Sequence, residues 1–216
     1  MKRLTLLSLL LLAFALQASA ALTTNFTSGF ANTGFVPDNN LNGWADTRNL
    51  NLTEYTGFTV TDVQVTLNVS GGWNGDLYGY LVHDSGFAVL LDRVGRTGTS
   101  GQTFGYGEAG FTGVTLADGQ SLTSIQNYGG SYSAAGALGT GSYASSGGVL
   151  NTAFDGLSVN GNWTLFLADM SAGDISQLTG WTLTVTAVPE PTTWAMLIFG
   201  GAFGCWHLAR RRMKCS

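Results

Sequence analysis

The segment DVQVTLNVS, Asp62 to Ser70, sets an apolar side chain at every second position: Val63, Val65, Leu67 and Val69. A period of two puts these side chains on one face of an extended strand, and polar residues on the other. The pattern returns with Trp163, Leu165 and Leu167 in NWTLFLAD, and with Trp181, Leu183 and Val185 in GWTLTVTAV. DLYGYLVHD and FAVLLDRV read as two further strands joined by a hairpin turn at Asp84-Ser85-Gly86. No stretch between the two chain ends carries a helical period. Short strands at turn-rich spacing predict an all-β fold, a jelly-roll-type β-sandwich. Trp163 and Trp181, on alternating strands, are expected in its core. Residues 128–148 (YGGSYSAAGALGTGSYASSGG) hold no pattern and predict a long surface loop. Tyr128, Tyr132 and Tyr143 would be its contact points if it binds a ligand; otherwise it is a flexible insertion.

The chain ends are of a different kind. Lys2 and Arg3 precede an apolar run from Leu4 to Leu16, and Ala18-Ser19-Ala20 follows. This is the layout of a secretory signal peptide over residues 1–20, with cleavage after Ala20. A retained anchor is the alternative, for which the run is short. At the other end no charge interrupts Trp194 to Ala209. As a helix it spans about 24 Å. Starting at Pro191 extends it to roughly 28 Å, close to the ~30 Å of a bilayer's hydrocarbon core. Pro191 suits a first helical position, and Glu190 suits the positive end of the helix dipole. Arg210, Arg211, Arg212 and Lys214 then form a cytoplasmic basic stop. The expected organisation is a signal peptide (1–20), one exported domain (21–187), and a tail (188–216) with one transmembrane helix.

Charge bounds the partners. Within 21–187 the basic residues are Arg48, Arg93 and Arg96, against twelve Asp and Glu, a net charge of −9, although the whole chain carries −4. Nucleic-acid phosphates would be repelled, so no nucleic-acid partner is expected. Both cysteines, Cys205 and Cys215, lie in the tail, so the exported region can form no internal disulfide.

Catalytic constellations are hard to assemble. His83 is the one imidazole of the exported region, and its neighbours Asp84 and Ser85 point to alternate sides of a strand end, which a relay cannot use. There is no G-x-S-x-G elbow. The chain is therefore expected not to be an enzyme, and no catalytic residues are assigned. Calcium is the candidate cofactor, since it takes six to eight oxygens from carboxylates, amides and carbonyls. Asp76, Asp169 and Asp174 stand in turn segments, and DMSAGD from Asp169 to Asp174 forms a short acidic loop. Asp38, Asn39 and Asn40 form another oxygen-rich cluster. The plainer alternative is that Asp beside Gly builds turns. Trp73, in GGWNGD, and Tyr132 are the candidate ligand contacts on the surface.

Val188-Pro189-Glu190-Pro191, an apolar span and an arginine run, in that order, resemble the PEP-CTERM sorting signal of Gram-negative bacteria. The resemblance covers the last 29 residues. It implies recognition of Pro189, Glu190 and Pro191 by an exosortase, a membrane protease, and release to the cell surface or exopolysaccharide matrix. A permanent single-span anchor would use the same helix. The exported region resembles the P domain of proprotein convertases through VPDNN at 36–40, residues 60–95, and residues 154–185. Gly75-Asp76-Leu77, Asn160 to Leu165, Asp169 with Gly173-Asp174, and Trp181 are the most specific parts, whereas 98–150 matches poorly. The resemblance implies a β-sandwich without that family's protease domain. The expected role is that of a non-catalytic exported protein sorted to the surface or matrix. The alternatives are a carbohydrate- or protein-binding module and a secreted hydrolase.

Overall fold

The alternation at Asp62–Ser70 lies inside a fourteen-residue strand, β3 (Phe58–Gly71), that forms the middle of a sheet. The computed structural model describes residues 19–96, 103–133, 135–190 and 200–201. The other strands are β1 (Ala20–Phe26), β2 (Asn40–Leu50), β4 (Leu77–His83), β5 (Gly86–Asp92), β6 (Gly110–Ala117), β7 (Gly141–Ala144), β8 (Gly161–Asp169) and β9 (Ser176–Pro189). They form a five-stranded sheet in the order β1-β9-β3-β6-β7 and a four-stranded sheet in the order β2-β8-β4-β5. The fold is an all-β sandwich.

Period two decides what fills the space between the sheets. Val63, Val65, Leu67 and Val69 of β3 and Trp181, Leu183, Val185 and Ala187 of β9 are buried from one side. Leu77 and Leu81 of β4 and Trp163, Leu165 and Leu167 of β8 are buried from the other. Trp163 and Trp181 are core residues, as their strands predict. Each indole N–H has a partner: Trp163 donates to the Val159 carbonyl at 3.0 Å, and Trp181 to Asp46 Oδ2 at 2.7 Å. The second bond joins the two sheets, because Asp46 is on β2 and Trp181 on β9. Arg48 Nε reaches the same Asp46 oxygen at 2.7 Å and neutralises a carboxylate that burial would otherwise penalise.

Three features depart from the sequence expectation. Residues 128–148 are not loop throughout: β7 pairs parallel to β6, from Val114 opposite Gly141 to Ala117 opposite Ala144. An edge strand of four residues is held by main-chain bonds, which leave no periodic trace in Gly-Ser-Tyr-Ala. A five-residue helix, α1 (Leu150–Phe154), breaks the all-strand pattern. It is too short for a helical period. Its first N–H groups, from Leu150 and Asn151, donate to the two carboxylate oxygens of Asp118 at 2.8 and 2.7 Å. Finally, the last strand runs past residue 187. β9 continues to Pro189, opposite Phe58, and the Glu190 N–H donates to the Gly57 carbonyl at 2.8 Å. Among the described residues no helix is long and apolar enough to cross a membrane. The expected signal peptide up to Ala18, the span from Trp194 and the basic stop Arg210–Arg212 lie outside the described residues, apart from Gly200 and Gly201 within the span.

Candidate functional site

The alternation of β8 carries Asp169 onto the same face as Trp163, Leu165 and Leu167. A carboxylate thus occupies a core-facing position at the end of the strand, and it is fully buried. The register sets it opposite Leu77 of β4 and Asn40 of β2, so three strand ends meet there. Asp169 Oδ1 accepts the Ser171 N–H at 3.2 Å, whereas Oδ2 is buried without a partner. Burial pushes the Asp169 carboxyl up to about 6; the carboxylates of Asp76 and Asp38 add to this, and the Ser171 N–H and Arg93 hold it down.

The neighbours complete an acidic corner. Asp76 ends a tight turn, Asn74–Asp76, just before β4, and its Oδ1 accepts from Arg93 Nη2 at 3.1 Å. Arg93 also donates from Nε to the Gly75 carbonyl at 3.2 Å and from Nη2 to Ser171 Oγ. Asp38 accepts the Gly173 N–H with both oxygens, at 3.2 and 3.3 Å. Of the three acids expected from sequence, Asp76 and Asp169 are brought together. Asp174 is exposed on the outer side of its loop, and Asp38 faces the corner in its stead. The sequence marked Asp38 as oxygen-rich but gave no hint of Arg93 or Ser171. The available signal was scarcity: an arginine among so few cations in an acidic domain is expected to have a fixed partner.

A bound calcium ion finds part of what it needs here. The buried, unpartnered Asp169 Oδ2 and the two carboxylates beside it suit a hard cation. Against that, Arg93 holds one oxygen of Asp76, and among the described residues no three His, Cys, Asp or Glu side chains form a ready ligand set.

An aromatic cluster adjoins the corner through the Trp73–Asp76 turn. Tyr132 packs edge-on to Trp73, with ring centroids 5.0 Å apart, and Phe104 lies 5.7 Å from Tyr132. Tyr132 is 50% and Phe104 60% exposed. The Trp73 ring lies over Gly107, where an added Cβ would come within 2.8 Å of the indole, so only glycine allows this approach. Trp73 is itself half-buried, and its Nε1 is buried without a partner. The other two tyrosines of the Gly-rich segment turn inward. Tyr128 donates to Glu108 Oε2 at 2.7 Å, burial raises its pKa far above the usual phenol range, and Tyr143 packs edge-on to it at 6.1 Å.

His83 belongs to the core. Its ring stacks on Trp163 at 3.8 Å, nearly parallel, and its two nitrogens lie 3.0 and 2.7 Å from the carbonyls of Asn162 and Ser158. Asp84 and Ser85 beside it are exposed on the turn. Both ring nitrogens are thereby engaged by main-chain oxygens.

The described residues define a two-sheet, all-β sandwich with an acidic corner and an aromatic cluster at one end. No protein-family model matches the chain, and no curated protein matches it. Among solved structures it is similar to a serine protease of Aeromonas sobria, at 16% identity and a TM-score of 0.46, over 79% of this chain and 27% of that one. It is also similar to the complex of an Aeromonas sobria serine protease with a chaperone, at 15% identity and a TM-score of 0.46, over 84% of this chain and 29% of the other. The chain spans less than a third of the length of these neighbours.

Proposed function

We propose that this is a non-catalytic exported protein, sorted by its tail to the surface or exopolysaccharide matrix of a Gram-negative bacterium. The observation that carries the reading is the tail itself: Pro189-Glu190-Pro191, an uncharged apolar stretch and an arginine run, in the order of a PEP-CTERM signal. The partner implied is an exosortase. The jelly-roll reading of the sandwich rests on the interleaved orders β1-β9-β3-β6 and β2-β8-β4-β5, with β7 added at an edge. The P-domain resemblance remains part of the proposal. Processing makes it testable. Mass spectrometry of the surface or secreted form is expected to find Arg210–Lys214 missing, and an intact tail in that form would leave a permanent anchor.

Calcium enters this reading through the acidic corner, where Asp169, Asp76 and Asp38 would supply carboxylate oxygens. A second reading, a carbohydrate-binding module, is favoured by the exposed Tyr132 and Phe104 grouped on Trp73, because aromatic faces and edges suit the apolar C–H surfaces of sugars. Binding on an array of matrix polysaccharides that is lost in Tyr132→Ala would support it. A blank array would favour a structural role.

A further inference from the structure

The acidic corner and the chain exits lie at opposite ends of the sandwich. β9 starts at Ser176, opposite Gly71 and next to the corner, and it ends at Pro189, opposite Phe58. β1 begins beside that far end, with Ala20 opposite Ala187. Both terminal segments therefore leave from one end, about 45 Å from the start of β9 at ~3.3 Å per residue.

The connection to the tail is short. Glu190 is fixed by its N–H on the Gly57 carbonyl, and Pro191, Thr192 and Thr193 separate it from Trp194, where the apolar stretch begins. Fully extended, that step covers at most about 14 Å. The leader side is similar, with Gln17, Ala18 and Ser19 between Leu16 and Ala20. A sandwich so tethered cannot drift from the lipid surface while the tail is attached. Nor does the motif start as a free linker: Pro189 completes β9, and the exposed Glu190 is held at its N–H by the Gly57 carbonyl.

We infer that the protein, while its tail is attached, stands end-on on the bilayer, with the end formed by Ala21, the Thr56-Gly57-Phe58 turn and Pro189 seated against the lipid. The acidic corner and the Trp73–Tyr132 cluster then point away from the membrane. The occupant of this end is the bilayer surface itself. A tether supplies the contact, since Glu54 and Glu190 are acidic and anionic headgroups would not attract them. A protease that removes the tail must then work from within the membrane plane, on a motif partly held by the folded sheet. The inference rests on the tail being a membrane span, but not on its being cleaved.

The test uses the full-length chain in membranes of a host that leaves the tail attached, with Cys205→Ser and Cys215→Ser to remove the native thiols. Thr56→Cys places a thiol at the seated end, and Ala172→Cys places one beside the acidic corner; both positions are exposed in the folded sandwich. A maleimide carrying a long polyethylene glycol chain is expected to label position 172 readily and position 56 several-fold more slowly. Inserting a flexible Gly/Ser segment of about ten residues between Ala187 and Val188, with the leader removed, should bring the two rates together. Equal rates without the insertion, in a membrane-bound chain, overturn the seating alone. A chain that partitions into the soluble fraction overturns the membrane-span reading and the seating with it.

Discussion

Trp163→Ala is expected to lower the unfolding free energy by about 3–5 kcal/mol, a large part of the ~5–15 kcal/mol typical of such a domain. The indole is fully buried between the sheets. It is stacked on His83, lies 5.4 Å from the Phe154 ring, and donates to the Val159 carbonyl. Truncation leaves a cavity, removes that hydrogen bond and exposes one face of a buried imidazole. Trp73→Ala is expected to cost much less, because Trp73 is half-buried and its Nε1 has no hydrogen bond to lose. Urea unfolding of residues 21–190 compares the two. Equal midpoints for Trp163→Ala and the parent would place Trp163 outside the core.

The same side chain shows which features a sequence makes legible. Alternation of apolar residues makes β3, β8 and β9 legible with their inward residues, and two apolar runs about a turn make the β4–β5 hairpin legible. β2 and β6 also bury residues, but their sequences carry no marked alternation. The turn at Asp84-Ser85 was readable for a related reason, since Asp84 adopts a positive φ of 51°, which short polar residues tolerate. Elements held by main-chain bonds or by single polar contacts leave no such trace. β7 is one, and α1, capped by Asp118, is another. The acidic corner falls between these cases. Asp76 and Asp169 were visible as acids in turns, but the choice of Asp38 over Asp174 depends on how the loop after β8 folds back to place the Gly173 N–H on Asp38. The pairing of Arg93 with Asp76 follows instead from the β4–β5 hairpin, which sets Asp92 opposite Tyr78 and brings the Arg93 N–H onto the Leu77 carbonyl. The approach of the Gly173 loop to Asp38 is not periodic in the chain, so only the tertiary structure displays it. The sheet-bridging bond from Trp181 to Asp46 was hidden similarly. Asp46→Ala should cost about 1–3 kcal/mol by orphaning a buried indole N–H, measurable in the same urea series.

Asp169→Asn is expected to stabilise the metal-free protein at neutral pH, the reverse of what most core substitutions do. The Asp169 carboxyl is pushed up to about 6, chiefly by burial and then by Asp76 and Asp38. Its folded-state pKa therefore lies above the unfolded one, near 3.8. Below about pH 4 the group is protonated in both states and imposes no penalty. As pH rises towards 6 the unfolded chain releases the proton first, and stability falls. Above about 6 the full cost of a buried carboxylate is present, on the order of 3 kcal/mol for a shift of about two pH units. Asparagine keeps an oxygen for the Ser171 N–H and removes the buried charge. The difference between Asn and wild type should thus be largest at pH 7 and shrink as pH falls through the interval from 6 to 4. Calcium closes most of that gap if it binds, because it favours the ionised carboxylate. At a hundredfold excess over its dissociation constant it would add about 2.7 kcal/mol to the wild type, and nothing to Asp169→Asn. Urea midpoints of both proteins across that pH range, with calcium and with chelator, separate the two effects. A wild type that is unmoved by millimolar calcium at pH 7, yet gains stability on acidification relative to Asp169→Asn, would mark the corner as a buried proton site countered by Arg93 and would remove calcium from the proposal.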